Sequence, residues 1–148
     1  MTNTDQGGSN RHLARESAIE ILYAWHSGDC DDADLPSLIS GRIHEEDRTQ
    51  QDITYLREII HGVTEQREAL DTKILTGINR SLRSVATLEL NILRLATWEM
   101  VNRLEIPYRV IINEALELAR DYTDESARSF INGVLDKLAK TLRSKEAK

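Results

Sequence analysis

Cations and aromatic rings share one face of the first predicted helix. A second row of residues at helical spacing flanks the apolar stripe of this helix, namely His12, Arg15, Ile19, Tyr23 and His26. Arg11 lies in the first turn. Guanidinium groups bind phosphates and an aromatic ring stacks on an unpaired base, so this composition is typical of a single-stranded nucleic-acid contact. An ordinary boundary face with a half-buried tyrosine is the alternative interpretation.

The only phenylalanine, Phe130, occupies a similar position on the last predicted helix. It lies about 100° from the apolar stripe that contains Ile131, beside Ser126, Gly133 and Lys137. Because the stripe is complete without Phe130, the pattern predicts an exposed ring close to a basic segment. Packing of the ring against a neighbouring helix is the alternative.

Motifs for catalysis are missing from the sequence. No glycine precedes a lysine, as a phosphate-binding P-loop requires, and neither a nucleophile elbow nor a Gly-x-Gly dinucleotide fingerprint occurs. His61 and Glu65 have the helical spacing of an acid-base pair, but no nucleophile accompanies them. We therefore predict that the chain is not an enzyme and that it binds no cofactor and no small-molecule substrate.

Residues that bind metals are no better arranged. His26 and Cys30 stand one helical turn apart, but no second ligand pair accompanies them. Asp29, Asp31 and Asp34 resemble a calcium loop only in part, because Asp34 stands where that loop needs glycine. We expect a solvated acidic loop and no metal.

Charge is distributed unevenly along the chain. The net charge of −6 argues against a surface coated in nucleic acid, since non-specific affinity comes from Lys and Arg on phosphates. Residues 29–58 hold nine acidic and three basic side chains, whereas 124–148 hold six basic and four acidic ones. A local anion-binding surface is therefore compatible with the acidic total; an acidic loop with a solvated basic tail is the alternative.

Composition predicts a helical protein. The 148 residues are 40% hydrophobic and 30% charged, with seven glycines and two prolines, and strand and hairpin patterns are absent. The predicted fold class is all-α. No signal peptide or membrane-length apolar stretch is found and cysteine occurs once, so we expect a cytoplasmic protein without a membrane partner.

Apolar periodicity predicts six helices, or seven if the longest one breaks. In chain order they run from near Arg11 to Gly28, over 35–41, from after Asp47 to about Gly77, and over 85–104, 107–122 and 124–142. The predicted caps are Ser9 or Asn10 for the first helix, Ser84 for the fourth, and Thr123 or Asp124 for the last. The chain thus divides into a disordered leader at 1–10, one domain at 11–143 and a charged tail at 144–148.

Six motifs occur in an order that resembles a known family. They are Ala14-Arg15-Glu16, Ile21-Leu22-Tyr23-Ala24-Trp25, Ile92-Leu93-Arg94-Leu95-Ala96, Ile106-Pro107-Tyr108, Ile112-Asn113-Glu114-Ala115 and Phe130-Ile131-Asn132-Gly133-Val134-Leu135-Asp136-Lys137. In these motifs the chain, from Arg11 to Leu138, is similar to the NusB family of bacterial transcription antitermination factors.

The resemblance implies both a fold and a function. The fold would be a bundle of about seven helices in two small subdomains. The function would be binding of single-stranded boxA RNA in nascent ribosomal transcripts, together with the ribosomal protein NusE, within the RNA polymerase antitermination complex. RNA binding is expected to be tighter with NusE than without it.

The resemblance also places the contacts residue by residue. The implied RNA contacts are Arg11, His12, Arg15, Tyr23, Ser126, Arg128, Ser129 and Phe130, and Glu89 is the implied partner contact on the central helix. Leu13 also falls in the arginine-rich start, where relatives carry consecutive arginines, and Ser126 and Ser129 replace an acidic residue and a lysine. We therefore expect few phosphate contacts, on flanks that form one continuous platform.

Two rival functions remain at this stage. The same fold forms the N-terminal RNA-binding part of ribosomal RNA cytosine methyltransferases, but their catalytic domain needs a Gly-rich cofactor loop and a nucleophilic cysteine downstream. A helical scaffold that binds only protein agrees with the negative charge and the reduced arginine content.

Overall fold

The computed structural model describes residues 4–26 and 31–146. These residues form seven α-helices and three short 3₁₀ turns, without strands. The helices are α1 (Thr4–His26), α2 (Leu35–Ile43), α3 (Ile53–Glu65), α4 (Arg67–Leu75), α5 (Thr87–Asn102), α6 (Tyr108–Tyr122) and α7 (Glu125–Leu142). The predicted all-α class is confirmed, and the longest predicted helix breaks at Gln66 into α3 and α4.

The chain forms two compact units, Met1–Gly62 and Val63–Lys148, and the division falls within α3. The expectation of two small subdomains is thereby confirmed. No helix in the described part of the chain combines the length and apolar character that crossing a membrane requires.

A buried arginine organises the polar part of the first unit. Arg48 is 8% exposed, and its Nε donates to the Ser17 hydroxyl at 3.1 Å. Its Nη2 lies 3.2 Å from a Glu16 oxygen and 3.4 Å from a Glu20 oxygen. Because a buried charge needs partners, these bonds hold the 3₁₀ turn Glu46–Arg48 against α1.

Helix α5 forms the centre of the second unit. Every residue from Leu90 to Met100 is buried, and α4, α6 and α7 all pack on this helix. Arg94 forms a two-pronged ion pair with Asp71 of α4, with N–O distances of 2.7 and 2.8 Å. The all-round apolar pattern of 85–104 correctly predicted a central helix.

A second buried arginine closes this unit. Arg143, 5% exposed, donates to three backbone carbonyls at 2.9 Å each, those of Met100, Arg103 and Ile106. It also pairs with Glu146, whose other carboxylate oxygen accepts from the Tyr108 backbone N–H at 3.2 Å. The hydrogen bond from Arg143 is the main reason that the pKa of Glu146 lies below its ordinary value. The turn between α5 and α6 is thus bound to the residues after α7.

The predicted start of the first helix is wrong. Helix α1 begins at Thr4, so Ser9 and Asn10 lie inside it and do not cap it. The Asn10 carbonyl accepts a hydrogen bond from the Asp52 backbone N–H at 3.0 Å, a tertiary contact that ties this turn to the segment before α3. Residues 1–3 of the predicted leader and the predicted helix end at Gly28 lie outside the described residues.

Two further helix starts differ from prediction. Ser84 lies in the 3₁₀ turn Leu82–Ser84, where its hydroxyl donates to the Ser81 carbonyl at 2.7 Å, and Ala86 precedes α5. Helix α3 begins at Ile53, later than predicted, because the Asp52 side chain accepts from the Tyr55 N–H at 3.0 Å and caps the helix there. The predicted cap of α7 is confirmed as Asp124, which accepts from the Ala127 N–H at 2.8 Å.

Candidate nucleic-acid interface

The outer face of α1 presents Tyr23, whose exposure is 47%. His12 and His26 on the same helix are half-buried. An exposed tyrosine ring on a helix is the kind of surface on which an unpaired base can stack. The predicted exposure of Tyr23 is confirmed.

Two guanidinium groups cover the ring of Tyr55 in the first unit. The Arg11 guanidinium lies 4.4 Å and that of Arg15 5.5 Å from the ring centroid. Tyr55 is only 1% exposed and Arg15 only 3%. These are cation–π contacts inside the unit, and they occupy both arginines.

The prediction of one exposed flank on α1 is therefore wrong at two positions. Arg15 is buried, and Ile19 has no exposed surface. The physical reason is that α1 buries a wider face than its stripe of small and aliphatic residues suggested, so that the neighbouring positions also lie in the core. In this conformation Arg15 does not face solvent.

Carboxylates lie beside two other basic residues of this region. The Arg11 Nε is 3.9 Å from an Asp52 oxygen, and the His12 Nε2 is 3.2 Å from a Glu16 oxygen one helical turn away. Both basic side chains are half-buried. The local positive charge available to an RNA phosphate is consequently smaller than the sequence pattern indicated.

In the second unit, the first turns of α7 present a polar surface. Ser126, Arg128 and Ser129 are all exposed. Glu89 is half-buried in the first turn of α5, so its predicted place on the central helix is confirmed.

Phe130 lies at the edge of an open groove. Its ring is half-buried, and the guanidinium of Arg80 lies over it at 4.2 Å from the centroid. The groove has a volume of about 410 Å³, and its lining includes Ile78, Arg80, Ser129, Phe130, Gly133 and Lys137. Phe130 is thus neither fully exposed nor packed away, and Ser129 shares its groove.

Sequence reasoning missed Arg80. It lies between α4 and the 3₁₀ turn Leu82–Ser84, outside any helical periodicity, and far from Phe130 in sequence. Only the tertiary fold brings the guanidinium onto the ring, so no local pattern could have identified it.

The structure also places the other candidate residues that the sequence suggested. His61 and Glu65 are both exposed on α3, as expected for a solvent-facing helix pair. Cys30 and Asp29 lie outside the described residues. Asp31 caps the 3₁₀ turn Asp32–Asp34 by accepting from the Ala33 N–H at 2.9 Å, which gives this acidic loop a structural role.

Comparison with known proteins identifies the family. The NusB family profile matches residues 12–140. The transcription antitermination protein NusB of Pectobacterium carotovorum subsp. carotovorum (strain PC1) is 41% identical over 133 residues, which cover 90% of this chain and 94% of that protein. This chain belongs to the NusB family.

Solved structures share the fold. NusB of T. maritima superimposes with a TM-score of 0.77 at 30% identity, covering 88% of this chain and 91% of the other. A chain in the crystal structure of antitermination factors NusB and NusE in complex with double-stranded RNA has a TM-score of 0.76 at 24% identity, covering 89% of this chain and 97% of that one. The second likeness concerns the fold alone.

Proposed function

We propose that this chain is a non-catalytic transcription antitermination factor of the cytoplasm, which binds single-stranded boxA RNA together with ribosomal protein NusE and acts in the RNA polymerase antitermination complex. Membership of the NusB family supports the proposal, because relatives bear the name transcription antitermination protein. On the chain itself, the observation that carries it is the half-buried Phe130 ring beside an open groove lined by two cations.

RNA contacts divide between stacking and phosphate binding. Tyr23 and Phe130 supply rings for unpaired bases. Arg11, Arg80 and Arg128 supply the cations. The protonatable ring of His12 and the hydroxyl groups of Ser126 and Ser129 supply further hydrogen-bond donors. Arg15 supports Arg11 through the shared Tyr55 ring and does not itself bind phosphate.

Glu89 is proposed to contact NusE. Its carboxylate lies at the N-terminal turn of α5, half-exposed on the central helix of the second unit. Since the chain carries a net charge of −6, RNA binding by this protein alone is expected to be weak and to gain from a partner that enlarges the interface.

The deciding experiment is a titration of labelled single-stranded boxA RNA, with and without NusE, over a range of salt concentrations. With three or four phosphate contacts, the logarithm of the binding constant should fall with a slope of about −2 to −3 against the logarithm of salt concentration. A duplex of the same sequence is the control. Equal affinity with and without NusE would contradict the cooperative part of the proposal.

A protein-only scaffold is the second candidate, favoured by the carboxylates beside Arg11 and His12. The same titration separates the two. A scaffold would bind NusE without RNA and leave the mobility of boxA RNA unchanged in a gel-shift assay.

A further inference from the structure

Asp52 is held in place by contacts with both α1 and α3. Its backbone N–H donates to the Asn10 carbonyl at 3.0 Å. One carboxylate oxygen, Oδ1, accepts from the Tyr55 backbone N–H at 3.0 Å, and the other, Oδ2, lies 3.9 Å from the Arg11 Nε. The negative charge of Asp52 is therefore fixed beside a cation of α1.

The contact between Asp52 and Arg11 is electrostatic and is not a hydrogen bond. A separation of 3.9 Å exceeds the reach of an N–H donor. The Arg11 guanidinium instead lies over the Tyr55 ring, 4.4 Å from its centroid. Asp52 thus lowers the positive potential at Arg11, while the ring determines where the guanidinium lies.

Arg42 shows what a structural ion pair looks like in the same unit. Its Nη2 lies 2.8 Å from a Glu20 oxygen, and its side chain is 19% exposed. Arg11 and Asp52 are both 35% exposed and farther apart. An exposed pair of this kind contributes little to stability, so the charge of Asp52 has a larger consequence for what binds to Arg11 than for the fold.

A phosphate that binds Arg11 would meet the charge of Asp52. The carboxylate turns away only by giving up the hydrogen bond that caps α3 at the Tyr55 N–H. Repulsion over this short distance is only partly screened, because the Debye length is about 8–10 Å near physiological salt. The repulsion acts on the phosphate and not on the base, so it is the same for every RNA sequence.

We propose that Asp52 limits the affinity of this protein for RNA, by opposing phosphate binding at Arg11 irrespective of the base sequence. The inference rests on the proposed RNA-binding function. It adds a residue that weakens binding to the residues that provide it, and it leaves sequence preference to the contacts with bases.

The test removes the charge of Asp52 and keeps its hydrogen bond. Asp52→Asn retains an oxygen that can accept from the Tyr55 N–H, since asparagine caps helices as well as aspartate does. Asp31→Asn is the matched control, because Asp31 also caps a turn in the first unit, by accepting from the Ala33 N–H at 2.9 Å. The full-length variants are titrated, with NusE and over a range of salt concentrations, with boxA RNA and with a scrambled single strand of equal length. Circular dichroism and thermal unfolding verify the fold.

An affinity-limiting carboxylate predicts a specific pattern. Asp52→Asn should bind both RNAs about two- to fivefold more tightly, and Asp31→Asn should bind as the unmodified protein does. The gain should shrink as salt increases, with a binding slope steeper by up to about 0.7. In an Arg11→Gln background, Asp52→Asn should bring no gain, because the cation on which the carboxylate acts is gone.

Other outcomes overturn the inference in distinguishable ways. Unchanged or weaker RNA binding by Asp52→Asn would show that the carboxylate does not oppose binding, while RNA binding itself stands. An equal gain for Asp31→Asn, or a gain that persists in the Arg11→Gln background, would reduce the effect to net charge. If the unmodified protein binds no boxA RNA even with NusE, the proposed function fails and this inference with it. Should Asp52→Asn not fold, Asp52→Ser, which keeps a capping hydroxyl, decides the question.

Discussion

Among the aromatic rings that lie under an arginine, those of Tyr55 and Phe130 differ most clearly in what surrounds them. Tyr55, in the first unit, is 1% exposed beneath Arg11 and Arg15. Phe130, in the second, is half-buried beneath Arg80 at the edge of an open groove. An enclosed ring contributes to folding through the area that it buries, whereas a ring with a free edge can also bind a ligand.

The contrast extends to the arginines. Arg11 is shared between a ring and the Asp52 carboxylate, and Arg15 is buried. Arg80 lines a groove together with Lys137. The same kind of contact, an arginine over an aromatic ring, therefore stabilises the fold in one unit and forms part of an open surface in the other. Six substitutions can test this difference.

The largest expected effect is on stability. Tyr55→Ala should lower the free energy of unfolding by about 3–5 kcal/mol, because it removes a large ring from a closed core and leaves a cavity. Urea denaturation followed by circular dichroism measures this loss. A loss below 1 kcal/mol would contradict the structural role assigned to the Tyr55 ring.

Phe130→Ala should act mainly on RNA affinity. Loss of a stacking ring costs about 1–3 kcal/mol of binding free energy, a decrease of roughly fivefold to a hundredfold in affinity. Its effect on stability should be smaller than that of Tyr55→Ala, since the ring is only half-buried. Anisotropy titration with boxA RNA and NusE measures the affinity, and urea denaturation measures the stability. If a folded Phe130→Ala variant bound RNA with unchanged affinity, the proposal that Phe130 stacks on a base would be wrong.

Alanine at the two groove glycines should have opposite effects on stability. Gly77→Ala should destabilise the protein by about 1 kcal/mol, because its Cβ would press on the backbone carbonyl of Val134. Gly133→Ala should stabilise it by up to about 1 kcal/mol, since the new methyl group lies in open space on a helix. Thermal unfolding of the two variants side by side measures both effects. Equal shifts of the unfolding temperature would contradict the different surroundings of Gly77 and Gly133.

The smallest effect concerns salt. Lys137→Gln should make the slope of binding against salt shallower by about 0.7, the value for one phosphate contact with a single strand. Arg11→Gln should change the slope less, because Asp52 already lies beside that guanidinium. A larger change of the salt slope for Arg11→Gln than for Lys137→Gln would contradict the proposed difference between the two surfaces.

Much of the fold could be predicted from the sequence. Helical periodicity located α2, α6 and α7 closely, and the proline and aspartate at their starts marked the boundaries. The rings of Tyr23 and Phe130 could be singled out because each lies beside a complete apolar stripe. Periodicity reports how polar each face of a helix is, and that is sufficient where one face alone is buried.

The remaining features depend on contacts between distant residues. The burial of Arg15 depends on Tyr55, the attachment of the Asn10 turn of α1 on a hydrogen bond from Asp52, and the setting of Phe130 on Arg80. Arginine in particular is misleading, since the same residue type either faces solvent or enters a core once a ring or carboxylate is available. A single sequence does not reveal which partner each arginine will meet.

The three carbonyl bonds of Arg143 have a consequence for synthesis on the ribosome. The α5–α6 turn is synthesised well before residue 143. The carbonyls of Met100, Arg103 and Ile106 therefore have no bond to Arg143 until 37 to 43 further residues have been added. Helices α5 and α6 can form during translation, but this turn reaches its final arrangement only after α7 has been released from the exit tunnel. Translation order thus makes the last helix the step that completes the second unit.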